Sequence, residues 1–152
     1  METLGVMIKA MEQYTPPIED LIPIASHFHG HLGPFLVLGL KAGLTAIKHL
    51  GKDPFHMKVI VTTEGAPPTS CFIDGIQLST GCTLGKMNIE AKRGVDLSAL
   101  FTLNGKALKI KVKDEVLEKV RKISFQAGEK VALRIAGERE DNLFEIEWTD
   151  RS

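Results

Sequence analysis

Three histidines alternate in the segment HFHGHLGPF, at His27, His29 and His31. Alternate residues of an extended backbone point to one side, so these imidazoles can converge without any long-range folding. Neutral imidazole is a common ligand for zinc, nickel, copper and iron, and Gly30 lets the chain turn toward an ion between the last two rings. His29 and His31 are therefore candidate metal ligands, with His27 the less favoured of the three. The competing reading of an HxH pair is an ordinary surface or helix-capping role. His49 and His56 have no partner close in sequence and read as surface or capping residues.

Cys71 falls near the expected start of a helix. The partial positive charge at that end would favour thiolate, the form that ligates metal or attacks an electrophile. The plainer alternative is a buried thiol packing as a small hydrophobe. On a helix from residue 70, positions 71, 74 and 78 share a face, with 77 nearby. Asp74 is thus a candidate to orient a ligand or move a proton, set against simple charge complementarity with its own helix start. Glu64 and Gln77 flank the same region. A continuous helix would put the Cys82 sulfur roughly 16 Å from that of Cys71 at ~1.5 Å per residue, too far to share one ion. A disulfide is excluded on the same ground, since bridged Cα atoms lie within ~7 Å.

The segment GCTLGK at 81–86 has the glycines and lysine of a phosphate loop. It has one residue too few between the glycines, and Met87 stands where a magnesium-holding Ser or Thr would be needed, so a nucleoside triphosphatase is rejected. A tight turn that carries Lys86 toward a bound anion stays open as an alternative.

These residues need a scaffold. Short helices are expected over 3–13 and 17–28. A longer one spans about 34–50, with Pro34 at its first position, Lys48 and His49 in its last turn and Gly51 at its end. Apolar residues on almost every side of that helix make it central and buried, and Gly39 and Gly43 form a notch for close packing. Residues 57–63 read as a strand, and a helix follows from about 70 to Thr80, capped by Thr69 or Ser70. Strands are expected at 86–92, 98–103 and 106–112, the last two joined by an Asn104-Gly105 hairpin turn. An amphipathic helix at 114–122, a helix at 129–138 with strand as its competitor, and a strand at 143–148 complete the order. Helices and strands mix without βαβ alternation. The fold class is α+β, an antiparallel sheet packed with a buried central helix and flanking helices.

The 152 residues, 16.7 kDa, fit one domain covering 1–152, long enough to bury a core without disulfide staples. Nineteen basic residues balance nineteen acidic ones, so no general attraction to nucleic acid or to an anionic membrane is implied. Two cysteines are too few for a secreted disulfide scaffold. The N-terminus lacks the pattern of a signal peptide, and the apolar stretch from Leu32 to Leu40 is about half the ~20 residues needed to span a bilayer. A soluble, cytoplasmic protein is expected.

FHGHLGPFLVLGLKAG at 28–43 and CFIDGIQLSTGCTLGKMNI at 71–89 together resemble the core domain of the formylmethanofuran dehydrogenase FmdE family. That family has His-Gly-His before a long helix, and Cys-x-x-Asp-x-x-Gln leading into Gly-Cys-Thr-x-Gly-Lys. Here the pattern is met by His29, His31, Cys71, Asp74, Gln77, Gly81, Cys82, Thr83, Gly85 and Lys86. The resemblance covers about 30–90 directly. It implies an α+β core, a homodimer, and zinc or nickel held by His29, His31 and Cys71. Asp74 and Lys86 would then handle protons or negative charge, and Gln77, Cys82 and Thr83 would meet a small-molecule ligand. Many members carry a cysteine where this chain has Gly33, which argues against a cysteine-rich redox site. Some append a cysteine-rich zinc finger, whereas no cysteine follows Cys82. A core-only protein is expected, either acting on a small metabolite or serving as accessory or metal-delivery partner to a molybdenum or tungsten redox enzyme. The methanofuran reaction itself is not implied, because the chain has too few cysteines for iron–sulfur clusters and is too short for a pterin cofactor.

Overall fold

The structure, a computed structural model, describes residues 1–149. Its order is α1 (Glu2–Gln13), α2 (Ile18–His29), α3 (Pro34–Leu50), β1 (Lys58–Thr63), α4 (Cys71–Thr80), β2 (Ile89–Arg93), β3 (Ser98–Leu103), β4 (Lys106–Val112), α5 (Asp114–Arg121), α6 (Gly128–Ala136), α7 (Glu140–Leu143) and β5 (Phe144–Thr149). Short 3-10 turns lie at Leu84–Lys86 and Phe125–Ala127. The strands form one sheet in the order β2-β1-β3-β4-β5. The fold is α+β. Between 129 and 138 the helical reading prevails over strand, and the strand expected from 86 begins at Ile89 because the 3-10 turn takes the preceding residues.

Three of the strand pairings are antiparallel, as expected, whereas β1 and β2 run parallel, so the sheet is mixed. The reason is the connection. Parallel neighbours need a crossover, and α4 with its following turn supplies one. The β3–β4 hairpin turns at Asn104 and Gly105, both with positive φ (52° and 78°), as a two-residue hairpin with Asn-Gly requires.

The sheet turns one face to the core, where Val59, Val61, Phe101, Leu108 and Ile110 are buried against α3 and α4. Helix α3 is the centre of the molecule, with Phe35 through Leu40 all buried. It has no side-chain N-cap, and Pro34 opens it in a position where its missing N–H is no loss. Against it α4 packs at backbone contact. A methyl on Gly39 would strike the Phe72 carbonyl, one on Gly75 the Leu36 carbonyl, and one on Gly43 the Ser79 side chain. The expected notch on α3 is therefore occupied by α4. This crossing matters for function, because it fixes the first turns of α4 beside the segment that precedes α3.

Candidate functional site

Helix α2 ends at His29, where Gly30 adopts φ 110°, a left-handed cap that side chains disfavour. The reversal sends the chain through His31 to the extended Gly33 and into α3. Since His27 and His29 both lie in α2, a separation of two residues places them on nearly opposite sides of a 3.6-residue helix. The alternation expected of an extended segment therefore does not hold, and His27 is exposed apart from the pair.

The His29 side chain is 11% exposed, and its Nδ1 lies 2.6 Å from Asp74 Oδ2. The two residues are 45 positions apart in sequence. They are joined by the α3–α4 crossing. An ionised carboxylate can only accept, so Nδ1 carries a proton, and when the ring is neutral Nε2 is the nitrogen with a free lone pair. The His31 ring lies 5.4 Å from that of His29, centroid to centroid, and 5.5 Å from Phe125 on its other side. It rests over Gly33, where an added Cβ would come 2.9 Å from His31 Cε1. A side chain at position 33 would contest the place this ring occupies.

Cys71 opens α4 one turn before Asp74 and is partly buried. Its environment opposes the expected thiolate. Burial pushes the thiol pKa up, the Asp74 charge adds to the rise, and a backbone hydrogen bond offsets only part of it. Helix-end stabilisation is weak here because the N–H groups of Cys71, Phe72 and Ile73 are already bound to the carbonyls of Pro68, Thr69 and Ser70. For the same reason neither expected cap acts as one. Ser70 makes no side-chain cap bond, and the Thr69 hydroxyl donates to the Ala66 carbonyl.

The remaining candidates divide by position. Gln77 donates from Nε2 to Asp74 Oδ1 at 3.4 Å and accepts the Leu84 N–H on Oε1 at 3.0 Å. Thr83 and Lys86 form a closed unit, in which Thr83 Oγ1 accepts from the Lys86 ammonium at 3.0 Å and from its backbone N–H at 3.3 Å. The ammonium also sits 5.5 Å above the Phe55 ring. Cys82 is fully buried in the core, its Sγ 3.5 Å from the Met57 carbonyl, and its pKa is raised chiefly by that burial. It contributes packing and offers no surface to a solute. Both cysteines are free thiols. Glu64 pairs with Arg121, His56 with Asp53 at 3.0 Å, and His49 meets Trp148 edge-on.

A divalent ion can be tested against this arrangement. Two imidazoles sharing a tetrahedral ion at Zn–N distances of ~2.0–2.1 Å have ring centroids about 5 Å apart, close to the separation of His29 and His31. The Asp74 bond to Nδ1 is the support that a ligating histidine commonly has behind it. Among the described residues, however, no three His, Cys, Asp or Glu side chains form a ready-made metal-holding group within one chain. The ring spacing is compatible with two imidazoles on one ion, and Cys71 is placed relative to them only by its position one turn before Asp74 on α4. Sequence reasoning missed the 2.6 Å contact between His29 and Asp74, since nothing local pairs residues so far apart.

Residues 28–150 match the protein family described as "FmdE, Molybdenum formylmethanofuran dehydrogenase operon". A curated protein of Archaeoglobus fulgidus, named "Probable S-adenosyl-L-methionine-binding protein", is 30% identical over 125 residues, which cover 77% of this chain and 33% of that protein. The chain thus spans about a third of the length of that relative. A solved structure, that of a tungsten formylmethanofuran dehydrogenase FmdE-like protein from Syntrophus aciditrophicus, superposes with a TM-score of 0.67 at 17% identity, covering 88% of this chain and 72% of that one. At that identity the likeness is one of fold.

Proposed function

Because the chain belongs to the FmdE family, we propose that the corner formed by His29, His31, Cys71 and Asp74 is a divalent-metal site, for zinc or nickel, that binds or transforms a small metabolite. The single observation that carries the reading is the His29–Asp74 bond of 2.6 Å. It holds a partly buried ring in one tautomer with Nε2 free, and the His31 ring stands beside it. A bound ion would polarise a carbonyl or acidify a water there. Within the protein, Asp74 keeps the proton on Nδ1, His31 provides the second imidazole, and Cys71 gives up a proton that its surroundings otherwise favour keeping.

The test is metal analysis of protein purified without a nickel column, alongside zinc titration of wild type, His29→Ala and Cys71→Ala. Stoichiometric metal in wild type and its loss in both variants is the expected result. Full retention by both variants would overturn the site. S-adenosylmethionine, suggested by the name of the archaeal relative, belongs among the first ligands titrated.

A second reading is favoured by one observation. The description of the matched family names a molybdenum formylmethanofuran dehydrogenase operon. That supports an accessory or metal-delivery role toward a molybdenum or tungsten redox enzyme. Co-purification from the native host separates the two, because a redox enzyme recovered in stoichiometric amount supports the accessory role. For either role the chain is taken to act as a homodimer, as the family resemblance implies.

A further inference from the structure

The side-chain amide of Gln77 is engaged at both ends. Its Oε1 accepts the Leu84 N–H at 3.0 Å, and its Nε2 donates to Asp74 Oδ1 at 3.4 Å. The opposite oxygen of the same carboxylate, Oδ2, receives His29 Nδ1 at 2.6 Å. A continuous hydrogen-bonded path therefore runs from the end of α2, through one face of α4, into the turn that carries Thr83 and Lys86. Its direction is fixed. The Leu84 N–H can only donate and an ionised carboxylate can only accept, so the amide has one orientation that satisfies both neighbours. Flipping it would set oxygen against carboxylate and NH2 against N–H. The backbone carbonyl of Gln77 is occupied as well, by the Gly81 N–H at 2.9 Å.

We infer that Gln77 is a positioning residue for His29, holding the Asp74 carboxylate where it accepts from Nδ1 and so keeping Nε2 the unprotonated nitrogen of that ring. The Asp74 side chain is 36% exposed, and water competes for its oxygens. With Oδ1 tethered to Gln77, rotation of the carboxylate away from His29 breaks two hydrogen bonds rather than one. This role is distinct from the ligand contact of Gln77 that the resemblance implies. The same amide links the imidazole to the Leu84–Lys86 turn, so a shift of that turn is felt at His29. The functional consequence rests on the metal-site reading, whereas the positioning itself does not.

The experiment exploits that difference. In metal-free protein above the titration range of histidine, long-range proton–nitrogen NMR reads which imidazole nitrogen carries the proton. Wild type is expected to show His29 predominantly as the Nδ1–H tautomer. In Gln77→Met, of similar volume and helix-forming tendency, that fraction should fall several-fold while the His31 signals stay in place. Gln77→Glu serves if the first variant does not fold, because it keeps an acceptor for Leu84 and replaces the donor to Asp74 with a second carboxylate. The same loss is expected there. An unchanged His29 tautomer in either folded variant overturns the inference. Zinc affinity is measured in parallel, with a loss of about 10–100-fold expected for Asp74→Ala and a smaller loss for Gln77→Met. If wild type binds no zinc, the metal reading falls while the tautomer result still decides the role of Gln77.

Discussion

The reactivity of Cys71 reports its surroundings directly. With the thiol pKa raised first by burial and then by Asp74, less thiolate is present at any pH below the transition than for a free cysteine. Alkylation by iodoacetamide should therefore be slower than that of a small thiol at neutral pH and should keep rising with pH beyond the range where the small thiol levels off. Asp74→Asn removes the secondary cause and should accelerate the reaction without restoring it fully. Labelling followed by mass spectrometry measures both, and a Cys71 faster than the free thiol at pH 7 would contradict the arrangement. Gly33 gives a second check. Its backbone is ordinary extended chain, but it is buried at the N-cap of α3, so Gly33→Ala should cost about 1 kcal/mol while displacing the exposed His31 ring that lies 2.9 Å from the new methyl position. An unchanged His31 resonance would refute that contact.

At the scale of elements, the site depends on how closely α4 approaches α3. Gly39 and Gly75 oppose backbone carbonyls, which cannot move aside as a flexible side chain could. Gly39→Ala should thus destabilise the fold by about 1–3 kcal/mol or more through overpacking, despite the better helix propensity of alanine. Urea denaturation measures it, and a stability gain would show that the helices are further apart. A tie of a different kind joins α3 to the C-terminal helices. The Lys41 ammonium caps the end of α6 through the carbonyls of Ala136 and Glu138, and Glu140 accepts from Thr45 at 2.9 Å and Lys48 at 3.0 Å. Burial lowers the Lys41 pKa, and Glu138 and Glu140 pull it back. These contacts anchor the far side of the helix whose start lies beside His31.

For the whole molecule, α1 poses the main question. None of its residues is buried, and Leu4, Val6, Met7, Ile8 and Met11 are exposed along it. A twelve-residue helix is marginal in water without a packing partner. Under the homodimer proposed above, this surface is a place for a second copy of the chain to pack. Light scattering after gel filtration should give twice the chain mass, and replacing Met7 and Met11 with glutamate should shift the population toward monomer. A monomeric wild type at working concentration would remove the dimer. Among the described residues no helix is long and apolar enough to cross a membrane.

Much of the scaffold was legible because its causes are local. Pro34 and Gly51 bracket α3, apolar residues around its circumference announce its burial, and Asn104-Gly105 dictates a hairpin whatever surrounds it. The candidate chemistry was legible as residue types, in the histidines about Gly30 and in the spacing of Cys71, Asp74 and Gln77 along one helix. Tertiary structure decided which of them meet. Only the close packing of α4 on α3 puts Asp74 behind His29 and Gln77 beside Asp74, Cys82 is buried in the same core, and the parallel course of β2 follows from the same crossover. Local propensity sets what a segment becomes, but a pairing across 45 residues is set by the shape of the core between them.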